Sequence, residues 1–161
     1  AGFQYSGFSL GPTTGVLLSS GISRPASEIA VGDKLMAVKF DEILDPINPS
    51  TWTSETMSNI EIVETEVMSV GSRVTDKMYL INNDLYSPTH WILTRKNGEY
   101  KFILSQFMDN TYEVFNYVSQ DWNPVATVEE ILYIENVYSI NCEPYDNFFT
   151  DNMLVLDRAP E

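Results

Sequence analysis

The chain has 161 residues with 23 acidic and 9 basic side chains, a formal net charge of −14, and the apolar content of one globular domain. That acidity excludes sequence-independent binding to a phosphate backbone, which needs stripes of Lys and Arg, and it disfavours anionic membrane surfaces. A single cysteine, Cys142, and a single histidine, His90, rule out an internal disulfide, a multi-cysteine zinc site and a histidine-rich metal centre, and no apolar run approaches a membrane span.

The N-terminus lacks the charged-then-apolar layout of a signal peptide, so an intracellular origin is favoured. Ala1 reads as the residue after a removed initiator methionine of a small stand-alone protein, or else as a processed or engineered end. Along the chain, aromatic and β-branched residues recur in runs of four to eight. Strands are predicted at 15–18, 34–39, 60–70, 77–81, 91–95, 100–104, 112–118, 126–133, 137–141, 147–149 and 153–156. Turn signals separate them: Ser19-Ser20-Gly21, Val31-Gly32-Asp33, Asn82-Asn83-Asp84 and the hairpin pair Asn97-Gly98. Segments 104–118 and 128–137 carry some helical spacing, but their aromatic and β-branched content favours strand. Residues 41–59, with Asp45-Pro46 and Asn48-Pro49, read as a long surface loop or insertion. The fold class is all-β in one domain.

Three stretches carry a resemblance. The first runs from Thr13-Thr14-Gly15-Val16 through Ser20-Gly21 to Val31-Gly32-Asp33-Lys34. The second is Met78-Tyr79-Leu80-Ile81 followed by Ser87-Pro88-Thr89-His90-Trp91. The third is Val137-Tyr138-Ser139-Ile140 followed by Asn147-Phe148-Phe149-Thr150-Asp151-Asn152-Met153-Leu154-Val155. In this order and spacing the chain resembles a Hint domain, the self-processing fold of inteins and of the hedgehog C-terminal region. The resemblance implies a horseshoe of mostly antiparallel strands with pseudo-two-fold symmetry over residues 9–157. Residues 1–8 would be an arm or an added strand, and 158–161 a short tail.

It also implies a chemistry, with departures. The family's first residue, a Cys or Ser nucleophile, falls on Ser9, and the bond at risk joins Phe8 to Ser9. A hydroxyl is a poorer nucleophile than a thiolate and needs activation. The family's Thr-x-x-His falls on Ser87 and His90, which would hold the scissile amide and protonate its nitrogen. The terminal His-Asn of inteins falls on Leu156 and Asp157. Leucine moves no proton, and a carboxylate replaces the nucleophilic amide, so splicing is expected to be absent. Each residue also has a structural reading: Ser9 as an ordinary strand-end serine, His90 as a buried histidine bonded to backbone or to Ser87, and Cys142 as a small core side chain. Asp41, Glu42 and Asp45 are oxygen ligands without the spacing of a calcium loop, and Asp146, Asp151 and Asp157 flank the last hairpin without forming one. No cofactor, metal or phosphate-binding loop is expected.

The leading expectation is a non-catalytic Hint-fold structural or interaction protein. By resemblance to stand-alone domains of tailed phages, its partners would be other virion proteins, and its location the virion, or the cytoplasm before assembly. Catalytic residues are then none. If the chain is active, they are Ser9, Ser87 and His90, in an autoprocessing domain that cleaves between Phe8 and Ser9. A third possibility is a β-rich module for glycan or host recognition through loop 41–59, with exposed aromatics around Trp52.

Overall fold

A computed structural model describes residues 8–40 and 45–158. In chain order these hold β1 (Ser9–Leu10), β2 (Gly15–Leu17), β3 (Ser23–Pro25), β4 (Lys34–Lys39), the short helix α1 (Ser54–Ser58), β5 (Glu61–Val74), β6 (Lys77–Ile81), β7 (Asp84–Tyr86), β8 (Trp91–Lys96), β9 (Glu99–Leu104), β10 (Glu113–Asn116), β11 (Asp121–Pro124), β12 (Val128–Leu132), β13 (Asn136–Glu143), β14 (Asn147–Phe149) and β15 (Leu154–Leu156). The strand pairings are antiparallel. One sheet has the order β12-β6-β7-β1-β13-β5-β4. A second has the order β11-β10-β8-β15-β14, with β9 on β8. The whole curls into a half-barrel.

Local chemistry sets the turns. Asn82 and Asn83 both take positive φ, 45° and 75°, as the two-residue turn between β6 and β7 requires. Asn97 and Gly98 do the same between β8 and β9, at 51° and 78°. Both hairpins were legible as Asn-rich or Asn-Gly pairs. β5 runs on to Val74, beyond the predicted end at residue 70, because β13 pairs with it from Glu66 to Val74 around a bulge at Met68. Three strands were not anticipated: β1, β3 and β11. Each is four residues or fewer, too short to carry a run of its own; β3 and β11 fold back on the preceding strands β2 and β10, and β1 takes its partners β7 and β13 from far along the chain. Segments 104–118 and 128–137 do contain strands, as expected, and a 3-10 turn occupies Ser105–Phe107.

Apolar faces of the two sheets meet in a shared core. Leu10, Ile81, Tyr86 and Ile140 of the first sheet pack with Ile92, Val114, Phe148 and Val155 of the second. A second cluster gathers Met36, Val38, Leu93, Phe102, Phe149 and Leu156 around Trp52. Loop 41–59 is therefore not a plain surface insertion in its described part. Its α1 is capped by Thr53, and Trp52 is buried against Phe40, Tyr100 and Phe102, with Nε1 donating to the Asp45 carbonyl at 2.9 Å. The expected exposed aromatic cluster around Trp52 is absent there, since burying an indole is worth more than presenting it to water. Asp41 and Glu42 lie outside the described residues.

Candidate functional site

β1 is only two residues long, yet it lies in the middle of the larger sheet. Ser9 stands opposite Ser139 of β13, and Leu10 opposite both Tyr138 and Tyr86. Gly11 then passes so close to β7 that a Cβ would meet the Leu85 side chain at 2.6 Å, so glycine is needed for this approach. The Thr14 hydroxyl accepts from the Leu85 N–H at 2.9 Å. This placement buries Ser9 to 1% exposure.

Loop 87–90 between β7 and β8 is clasped to β1. The Ser87 hydroxyl accepts from the Ser9 N–H at 3.0 Å, and the Ser87 N–H donates to the Ser9 carbonyl at 2.9 Å. The amide nitrogen of Ser9 is thus held by the residue that the motif assigned to hold it. From the other side, the turn after β9 fastens the same loop. Ser105 N–H donates to the His90 carbonyl at 2.8 Å, Gln106 N–H to the Pro88 carbonyl at 2.9 Å, and the Ser105 hydroxyl to the Ser87 carbonyl.

His90 is fully buried, and its ring lies 5.3 Å from that of Tyr86. Neither ring nitrogen makes a well-formed hydrogen bond, and the Ser9 hydroxyl is likewise buried without a partner. Of the two kinds of partner expected for the ring, Ser87 is not bonded to it, and backbone groups of Ser9 and Leu156 lie beside it. Burial pushes the imidazole down to about 4, against the opposing pull of nearby backbone groups of Ser9 and Leu156. His90 is therefore neutral at pH 7, with one lone pair and one N–H beside backbone groups of Ser9 and Leu156. Ser9, Ser87 and His90, chosen from a motif, do converge.

A second polar cluster touches the first through Tyr86. Asp84, 3% exposed, accepts from the Tyr86 hydroxyl at 3.0 Å and from Thr150 at 2.9 Å on one oxygen. Its other oxygen accepts from Asn152 at 3.0 Å. Burial raises its carboxyl to about 6, and these three bonds restrain the rise. Asp84 had been read only as a turn residue.

The C-terminal half of the site is built differently. Asp157 is 1% exposed, and its carboxylate accepts from the Cys142 N–H at 2.7 Å and from Arg158 at 2.9 and 3.0 Å. Arg158 also donates to the Cys142 carbonyl at 2.7 Å and to Glu143 at 3.3 Å. Burial raises the Asp157 carboxyl, and Arg158 works against the rise. Arg158 had been assigned to a tail, but it clamps the strand end. Cys142 is fully buried, and burial foremost pushes its thiol up, so it carries no nucleophilic role at neutral pH. An open cleft of about 640 Å³ lies outside the junction, lined in part by Phe8, Ser69, Gly71, Ser139, Asn141 and Arg158. Asp45 and Asp151 are occupied separately, by the Ile47 N–H and the Ser23 hydroxyl, and no group of three metal-ligating side chains occurs among the described residues.

Solved structures share this architecture. A bacterial intein-like domain from Clostridium thermocellum matches 92% of this chain and 96% of its own at a TM-score of 0.63 and 16% identity. A DnaB intein from Synechocystis sp. PCC 6803 matches 94% and 99% at 0.63 and 14% identity, and the PabCDC21-1 intein matches 92% and 98% at 0.66 and 14% identity. No protein-family model and no curated protein matches the sequence. The fold is the intein-like Hint fold, over more than nine-tenths of the chain.

Proposed function

We propose that this chain is a Hint-fold module that has lost splicing and serves as a structural or interaction part of a larger assembly, of the kind found in tailed-phage virions. The observation that carries the loss is the environment of Asp157. Its carboxylate is engaged by the Cys142 amide and by Arg158, and its neighbour is Leu156. A carboxylate so held has no nitrogen with which to cyclise, and Leu156 beside it offers no proton. The residue after it is an arginine that braces the fold. The assembly role rests on the acidic, stable β module that remains once this chemistry is gone, and the virion setting on analogy with stand-alone domains of this kind.

A second reading is favoured by a separate observation, the convergence of Ser9, Ser87 and His90 at the bond between Phe8 and Ser9. Two neighbouring buried polar groups without well-formed partners are costly, and such costs concentrate at working sites. There the Ser9 hydroxyl would attack the Phe8 carbonyl carbon. The C–N bond breaks, the nitrogen takes up the proton, and residues 1–8 are left as an ester on Ser9. Intact mass before and after overnight incubation with hydroxylamine separates the two. Under the leading reading the mass stays at 18.3 kDa. Growth of a species beginning at Ser9, abolished by both Ser9→Ala and His90→Ala, overturns that reading and establishes self-cleavage.

A further inference from the structure

We propose that the outer edge of β5, over residues 68–74, is where two copies of this chain pair. β4 covers β5 only as far as Glu66, and the next residue, Val67, spends its N–H and carbonyl on Asp33 and Gly32 at 2.9 Å each. Beyond it, the described residues pair β5 on one side only, with β13. Seven residues of strand thus present one unpaired edge, which is a template for another strand.

Its side chains do not guard it. Met68, Val70 and Val74 are 52%, 45% and 64% exposed, and Val31, 62% exposed, sits beside Gly32 at the start of the edge. Residues 67–75 contain no acid and a single base, Arg73, in a chain that carries 23 acids. Two other sheet edges carry charge or proline. β12 bears exposed Glu129 and Glu130, and β11 begins at Asp121 and ends at Pro124, which has no N–H to offer.

The occupant follows from charge and symmetry. Two copies at −14 repel one another over most of their surfaces, so they meet best where acids are missing. Antiparallel pairing about a two-fold axis at Gly71 sets Met68 against Val74, Ser69 against Arg73 and Val70 against Ser72 of the second copy. No acid faces an acid, the two arginines do not face each other, and the residue on the axis has no side chain. The edge is its own complement, as a two-fold interface requires. An edge this short lies at the small end of protein interfaces, so the dimer is weak, and salt strengthens it by screening the net charge.

Sedimentation of the purified chain from about 10 μM to about 1 mM tests this. The expected mass rises from one copy towards two, more so in about 0.5 M than in about 0.05 M NaCl. Amides of residues 68–74 gain hydrogen-exchange protection in step. Val70→Lys moves the transition to at least about ten-fold higher concentration, the order of change expected of a central contact. Leu132→Lys, on the guarded edge, leaves it unchanged. If circular dichroism shows Val70→Lys unfolded, Ser72→Lys replaces it. A single copy throughout both salts overturns the proposal. So does a dimer that survives the β5 substitutions, one that Leu132→Lys dissociates, or one that leaves these amides unprotected.

Discussion

Two buried titratable groups, Asp84 and His90, both touch Tyr86 and should pull the stability of this protein in opposite directions between pH 4 and pH 6. Folding raises the Asp84 carboxyl from 3.8 to about 6. The folded state therefore holds this proton where the unfolded chain releases it, and stability is lost as pH rises through that window. At 1.36 kcal/mol per pH unit, the loss amounts to about 3 kcal/mol. Folding lowers His90 from 6.5 to about 4, so the unfolded chain binds this proton first. Stability is then full above pH 6.5 and falls by about 3 kcal/mol as pH drops to 4. The two slopes nearly cancel in the wild type. Asp84→Asn should unmask the histidine, so that relative to wild type the variant gains about 3 kcal/mol in going from pH 4 to pH 6.5. His90→Leu should unmask the carboxylate and lose about as much over the same range. Each variant also has a pH-independent offset from lost bonds or packing, which is why the difference from wild type across pH is the quantity to read. Urea titrations followed by tryptophan fluorescence at pH 4, 5, 6 and 7 measure it. If both differences stay constant with pH, or share one sign, the assignment of buried charge to these two residues is refuted.

Two further outcomes follow from the Asp157 cluster. Arg158→Ala leaves a buried carboxylate with only the Cys142 amide as partner, and should cost about 2 kcal/mol at pH 7 and progressively less as pH falls and the raised carboxyl takes up its proton; urea midpoints across an acidic pH series report it. Cys142, fully buried with its thiol pushed up, should react with a thiol reagent at pH 8 only as fast as the protein opens, and at once in 6 M guanidinium; rapid labelling of the native chain would contradict its placement.

The candidate site was partly legible because a motif records residue type and spacing. Ser9, Ser87 and His90 were each identifiable, and their convergence follows from β1 entering the sheet between β7 and β13. Ser105 was not identifiable, because its role is to hold a carbonyl of loop 87–90 across a turn, a task that many residue types at many positions perform. Arg158 and Asp84 escaped notice for a related reason. Each looks like an ordinary tail or turn residue until distant strands place a partner beside it.

The sequence by itself determined the strand-rich class, most strand positions, and the hairpins at Asn82-Asn83 and Asn97-Gly98, because alternation and turn chemistry act over a few residues. It also placed Leu156 and Asp157 where the resemblance puts a terminal His-Asn pair, which is a matter of side-chain identity. Tertiary structure alone decided that Trp52 is core, that β5 runs on past its partner β4 to leave an open edge, and that Asp157 is clamped by Arg158. These depend on which other segments fold against the residue, such as Tyr100 and Phe102 on Trp52 and Cys142 on the Asp157-Arg158 pair, so burial, pairing and charge compensation there are properties of the neighbours as much as of the residue.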